Sequence, residues 1–227
     1  MTPTHVLSGG SGWASPGESA EPRTTLLMLR HGETALTPEK RFSGSGGTDP
    51  ELSDVGRWQA DRAAGATLLA GAGVEAVVCS PLRRCRETAA VVARRLGLDL
   101  VVEDGLREAD FGDWEGLTYD AVRSRFPEDL AAWHASTGTA PTGSTESFAD
   151  VARRMAGVRD DLISRYRGRT ILVVSHVTPI KVLIQLALGA PGASLFAMEL
   201  APASFSGVSC VGLKASMRVF NDTSHLR

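Results

Sequence analysis

Short, continuous apolar runs recurring between amphipathic segments constrain this chain more than any other feature. TLLMLR (25–30), VEAVVCS (74–80) and RTILVVSH (169–176) lack the polar alternation of a strand open to water on one face. A strand without a polar face must be covered on both sides, as in the parallel sheets of α/β domains. Between these runs lie segments with apolar residues at helical spacing. SDVGRWQADRAAGATLLAG begins at an N-cap candidate, Ser53, and PLRRCRETAAVVARRLG (81–97) opens on Pro81 and closes on Gly97. TESFADVARRMAGVRDDLISRYRG (145–168) sets Phe148, Val151, Met155, Val158, Leu162 and Ile163 on one helical period. A third strand is expected in DLVVED, shorter helices in LTYDAVRSRF and EDLAAWHAS, and a helix in PIKVLIQLALG ending at Gly189. One or two edge strands are expected within 203–221. The alternation predicts a three-layer α/β/α domain with a mainly parallel central sheet.

Bulk properties narrow the partners. A chain of 227 residues suits one packed domain. A formal net charge of −2 argues against a nucleic-acid coat or a polybasic membrane binder, yet 24 Lys and Arg residues leave room for one cationic pocket. Cys79, Cys85 and Cys210 form no CxxC pair and read as buried or idle thiols in a reducing compartment. No run approaches the roughly 18 apolar residues that span a bilayer. Residues 1–22, rich in Gly, Ser and Pro, lack the charged start and apolar middle of a secretion signal. They read as a tail ahead of a domain over 23–227, and Trp13 within them carries no expected role. Cytoplasmic localisation follows, with neither nucleic acid nor membrane as partner, and the edge near 203–221 is compatible with a homodimer.

Two of the apolar runs end in histidines, His31 and His176. Open α/β sheets gather their sites at the carboxyl ends of strands, so these two residues are expected to meet in space. A single histidine is more often a hydrogen-bonded structural residue. Two at equivalent strand ends, one of them directly after Arg30, point instead to chemistry. SPLRRCRET places Arg83 and Arg84 where a helix N-terminus follows the second strand, an odd position for a cation unless an anion sits there. The planar guanidinium fork matches phosphate oxygens in pairs. A carboxylate, Glu108, follows the third strand in LREADFGDWEG.

LRHGET, SPLRR…ET, LREADFGDWEGLT and VVSHVTPIK, in that order, resemble the histidine phosphatase superfamily, the phosphoglycerate mutase-like proteins, over roughly residues 24–190. GDWEGLT is similar to the phosphatase branch, which includes α-ribazole phosphatase-like proteins. It is similar in particular to the acid phosphatase domain fused to ribonuclease H in actinobacteria; residues 1–22 hold no such ribonuclease segment. The resemblance implies a phosphoglycerate mutase-like fold and no metal or other cofactor. It implies His31 as the nucleophile phosphorylated on its ring, and Arg30 and Arg84 as clamps on the phosphoryl group, with Arg83 turned outward. His176 would stabilise the transferring group as an imidazolium, and Glu108 would protonate the leaving oxygen and then activate water. Glu33 and Thr34 complete the first loop, and KRFSG (40–44) matches a substrate-touching loop through Arg41 and Ser43. Two positions depart from the family pattern. RHGxTxxN ends here in Thr37, whose shorter hydroxyl would have to reach the phosphate, and SHG reads SHVTPIK, leaving Val177 to offer its backbone N–H.

Phosphoryl transfer needs positioned cations more than covalent help, and arginines with an imidazolium supply them without a metal. A mutase would have to retain a bisphosphorylated intermediate, and the stretch from Asp113 to Ser144 is short for the mutase-type insertion. A non-catalytic phosphate binder would be signalled by loss of His31 or Glu108. A metal bound by His31 and His176 would lack carboxylates at ligand spacing and face repulsive arginines. The expected activity is therefore hydrolysis of a small-molecule phosphomonoester. Trp114, Trp133, Phe111 and Tyr119 lie near the segments expected to cap the pocket, although Trp114 and Phe111 could equally belong to the core. They favour an aromatic or nucleoside-like phosphate: a nucleotide, a flavin mononucleotide-like phosphate or α-ribazole phosphate. A sugar phosphate would call for extra cations, of which Arg41 is the obvious one.

Overall fold

The computed structural model describes residues 21–212 and 214–227; the expected tail and Trp13 fall almost wholly outside them. Four strands, β1 (Thr24–Arg30), β2 (Val74–Cys79), β3 (Leu100–Val102) and β4 (Thr170–Ser175), pair in parallel. Two more, β5 (Phe205–Val211) and β6 (Lys214–Asp222), run antiparallel on the far side of β1. The order across the sheet is β3-β2-β4-β1-β5-β6, so the two strands that lead into His31 and His176 lie side by side at its centre.

Among the described residues, seven α-helices accompany the sheet: α1 (Asp54–Ala64), α2 (Thr67–Ala72), α3 (Arg83–Leu96), α4 (Tyr119–Arg125), α5 (Pro127–Ala135), α6 (Phe148–Arg165) and α7 (Val177–Leu188). Strand residues alternate between two apolar layers. Leu26, Met28, Ile171 and Val173 pack with Met155, Leu162 and Leu183 on one face. Leu27, Leu29, Leu172 and Val174 pack with Ala63, Ala89 and Val92 on the other. Burying each such Leu or Val contributes about 1.5–3 kcal/mol. The three-layer architecture with a mainly parallel sheet is the expected one.

Several boundaries differ from the sequence pattern for local reasons. The segment expected as one helix from Ser53 breaks at Gly65, whose N–H closes α1 on Asp61 and Arg62 carbonyls. Helix α3 starts at Arg83 rather than at Pro81, while Gly97 ends it in the left-handed conformation that glycine adopts without steric cost. Ser147 caps α6 with Asp150 in a reciprocal capping box, so Thr145 and Glu146 stay outside the helix. Five of the six periodic residues of α6 are buried and Ile163 is only partly so. Helix α7 begins immediately after His176, two residues before the expected Pro179. That earlier start turns the helix N-terminus toward the histidine.

Candidate active site

Strand register brings the two histidines together. Arg30 stands opposite Ser175 in the β1–β4 ladder, so the next residue on each strand emerges at the same place. The imidazoles of His31 and His176 meet edge to face with ring centres 5.1 Å apart. The His31 N–H donates to the Ser175 carbonyl at 3.0 Å, and the Ser80 N–H to the Val174 carbonyl at 3.0 Å, carrying the ladder one step past the strand ends. The turn after His31 approaches α1 closely. A Cβ on Gly32 would lie 2.5 Å from the Gly56 carbonyl oxygen, and one on Gly56 would strike Glu33. Both glycines are required for this contact.

Each polar side chain is held by a specific partner. His31 Nδ1 lies 2.7 Å from the Gly32 carbonyl and therefore carries the proton, leaving the Nε2 lone pair free. Burial, with Arg84 and Arg30 alongside, holds the His31 pKa well below the ordinary 6.5. His176 is fully buried behind it, with Nε2 2.7 Å from Ser80 Oγ and 3.3 Å from Cys85 Sγ. Burial and then Arg84 depress its pKa too. Burial therefore favours the neutral form of both rings in the free protein.

Arg30 donates to the Leu200 carbonyl at 2.5 Å while its Nε is buried without a partner, and burial lowers its pKa to about 10. Arg84 is only 1% exposed; one amino group donates to the Ser43 carbonyl at 3.0 Å and its Nε has no partner. An anion does sit at this helix N-terminus. Asp49 accepts the Arg83 N–H at 2.9 Å and lies 3.6 Å from Arg84. Arg83 itself points outward and pairs with Glu51 and Glu87. Glu108 accepts the Ala109 N–H at 2.8 Å and, at the start of α7, the Thr178 N–H at 3.3 Å. Orphaned guanidinium atoms inside a protein are costly, and an anionic ligand would satisfy them.

A cavity of about 470 Å³ opens onto this group. Arg30, His31 and Glu108 line its inner end, and Thr37, Arg41, Ser43 and Val177 line its walls. His176 and Arg84 lie behind that surface rather than on it. Thr37 Oγ1 accepts the Thr34 N–H at 3.0 Å, so its hydroxyl organises the loop in which it sits. Arg41 pairs with Glu39 at 2.7 Å and donates to the Gly116 carbonyl at 2.6 Å. Of the four aromatic residues expected near the pocket, Trp133 and Phe111 line it. Trp114 is wholly buried in the core, and Tyr119 lies outside, bonded to His134 at 3.0 Å.

The sequence reading missed part of the wall. Phe148 and Phe196 pack edge to face on Trp133 with centres 5.0 and 4.9 Å away, so three rings form one surface of the cavity. Arg41 is also not the lone additional cation, because Lys40 and Lys181 line the same space. Lys181 was visible in VVSHVTPIK, one helical turn beyond Val177; Phe196 sits in a 3-10 turn (Gly192–Ala197) that no motif marked. Among the described residues, no group of three or more His, Cys, Asp or Glu side chains is arranged to hold a metal ion, and no helix is long and apolar enough to cross a membrane.

Comparison with known proteins gives the class. The model of the histidine phosphatase superfamily (branch 1) matches residues 26–223, and the chain belongs to that superfamily. It is 47% identical over 204 residues to Bifunctional protein Rv2228c of Mycobacterium tuberculosis, covering 89% of this chain and 55% of that protein. The chain thus spans about half the length of the first curated relatives it matches. A solved mycobacterial glucosyl-3-phosphoglycerate phosphatase, in complex with VO3, superposes with a TM-score of 0.79 at 33% identity, covering 88% of this chain and 99% of that one. A solved putative alpha-ribazole-5'-P phosphatase from Escherichia coli gives 0.77 at 28% identity, covering 88% and 96%.

Proposed function

We propose that the protein is a metal-independent phosphomonoester hydrolase working through a phosphohistidine on His31. The observation that carries this reading is the state of that ring: Nδ1 bonded to the Gly32 carbonyl, pKa depressed, and Nε2 left as a free lone pair beside Arg30 and Glu108 at the end of a cavity. In the first step Nε2 attacks phosphorus, the ester P–O bond breaks, and the leaving oxygen takes the proton of the Glu108 carboxyl. In the second, the Glu108 carboxylate takes a proton from water, the resulting hydroxide oxygen attacks phosphorus, and the P–N bond breaks to release inorganic phosphate. Arg30 and Arg84 counter charge on the equatorial oxygens. Val177, the first residue of α7, offers one of the unpaired N–H groups of a helix start.

His176 acts from behind His31. The Leu82 N–H donates to Ser80 Oγ at 3.3 Å, and that oxygen lies 2.7 Å from His176 Nε2. With the Ser80 hydroxyl donating to Nε2, the ring proton of His176 would sit on Nδ1. The substrate is a small phosphomonoester with an aromatic or nucleoside-like body, a reading supported by the three-ring wall and by the relative named for α-ribazole-5'-P. The test is phosphate release from a panel of nucleoside monophosphates, flavin mononucleotide, sugar phosphates and phosphoglycerates with excess chelator. Chelator-resistant turnover of the aromatic members is expected. Silence across the panel from folded protein would overturn the hydrolase.

A further inference from the structure

Glu115 belongs to the GDWEGLT stretch, has no part in the chemistry above and does not line the cavity. Its carboxylate turns instead to the segment that follows Arg41. Oε2 accepts the Gly44 N–H at 2.8 Å, Oε1 shares it at 3.1 Å, and Oε1 also takes the Phe111 N–H at 3.3 Å. The fit leaves no room for a larger residue. A Cβ on Gly44 would strike the Glu115 carboxylate and the Ala109 carbonyl, and one on Gly47 would lie 2.8 Å from Oε2. Backbone bonds pin the same two segments: Phe42 N–H to the Leu117 carbonyl at 2.9 Å, Gly116 N–H to the Phe42 carbonyl at 2.9 Å, and Ser45 N–H to the Ala109 carbonyl at 3.1 Å.

The carboxylate grips one side of a peptide whose other side holds Arg84. The Gly44 N–H and the Ser43 carbonyl belong to one planar trans unit and point in opposite directions. The Ser43 carbonyl accepts from Arg84 Nη2 at 3.0 Å, and the Gly44 carbonyl next to it at 3.3 Å. A carboxylate on the N–H fixes that plane and polarises the carbonyl into a better acceptor. With Nη2 held in this way, Arg84 Nε and Nη1 are buried without hydrogen-bond partners. The exposed Asp49 lies 3.6 Å from Nη1, beyond hydrogen-bond distance, and accepts the Arg83 N–H. A carboxylate bonded directly to the guanidinium would compete with a phosphoryl group for its donors. Through the peptide, Glu115 orients the cation and leaves those donors uncovered.

We propose that Glu115 is a positioning residue for Arg84, acting through the Ser43–Gly44 peptide. The inference rests on the hydrolase reading, in which Arg84 clamps the phosphoryl group, and adds what aims the clamp. Loss of Glu115 should therefore be felt at the phosphoryl site only while Arg84 is present.

A double-mutant cycle separates this role from a general one in the fold. Orthovanadate binding by calorimetry, and kcat and KM for 4-nitrophenyl phosphate, are measured for the wild type, Glu115→Ala, Arg84→Ala and the double variant. Glu115→Ala should weaken orthovanadate binding by about tenfold, the scale of one charge-assisted hydrogen bond. In the Arg84→Ala background the same change should cost no more than about twofold. Glu115→Gln keeps one acceptor oxygen and should lose less than Glu115→Ala; it carries the cycle if Glu115→Ala does not fold. Losses of similar size in both backgrounds would mean that Glu115 supports the fold at large and would overturn the proposal, as would a Glu115→Ala protein that binds orthovanadate like the wild type. A wild type that binds orthovanadate without releasing phosphate would overturn the hydrolase reading, while the binding cycle would still decide the coupling. No orthovanadate binding by the wild type would overturn both.

Discussion

The two ends of the cavity are built by different means. The inner end is assembled from residues at or beyond the ends of β1, β2, β3 and β4, with those at β1, β2 and β4 fixed by ladder register and by hydrogen bonds that continue it. Its groups are buried, polar and each held by a named partner. The outer wall comes from connections: the turn carrying Lys40 and Arg41, helix α5 with Trp133, the 3-10 turn with Phe196, and the flank of α7 with Lys181. A strand end cannot shift without breaking its sheet, whereas connections vary at low cost. The inner end therefore suits a reaction step, and the outer wall suits the choice of substrate.

Substitutions at the inner end should act on turnover, and the largest effect belongs to His31. His31→Ala should cut phosphate release by about 10⁴-fold or more while circular dichroism stays unchanged; substantial remaining turnover would remove the nucleophile from the inner end. Arg84→Ala should cost about 10²–10³-fold in kcat, as for a lost transition-state donor. Arg83→Ala, which removes only exposed ion pairs, should change kcat by no more than about twofold. The opposite order would mean that the outward arginine is the one that matters.

Glu108→Gln should slow alkyl phosphates by about 10²-fold and 4-nitrophenyl phosphate much less, since a good leaving group needs little proton assistance. Similar losses on both would count against proton transfer at this end. At the outer wall, Trp133→Leu should raise KM for aromatic esters by about three- to tenfold through lost ring contacts while kcat holds. A fall in kcat alone would erase the division between the two ends.

The smallest effect is on stability and again belongs to the inner end. His31 and His176 have depressed pKa values when folded and ordinary ones near 6.5 when unfolded. Between those values the unfolded chain binds more protons, so stability is complete above pH 6.5 and is lost as the pH falls below it. Each histidine contributes a slope of up to about 1.4 kcal/mol per pH unit. Urea unfolding from about pH 5 to pH 7 should show a shallower dependence for His31→Ala than for the wild type.

Much of the inner end was legible before any coordinates. His31, Arg30, Arg84 and His176 each lie at a strand end or helix start that local apolar pattern and capping residues already mark, and Glu108 lies in the connection after β3. The order of the sheet was not legible in that way. That β4 lies between β2 and β1 is a matter of long-range pairing, and no local signal specifies it. Burial was also hidden. Nothing in the sequence distinguished Trp114, sealed in the core, from Trp133, which faces the cavity. The neutral state of His176 follows from the absence of solvent around it and from the nearby guanidinium of Arg84, neither of which a motif records.

The amino-acid sequence by itself determined that strands and helices alternate, that two apolar strands each run into a histidine, and that arginines and a glutamate accompany them. These are local matters of periodicity and of residue type at an element's end. Tertiary structure alone decided which rings form the wall, that Lys181 shares the cavity with them, and that Arg84 lies beneath the surface with its Nε unpartnered. Those outcomes depend on which distant segments exclude water from one another, and a linear sequence carries that only through the fold it adopts.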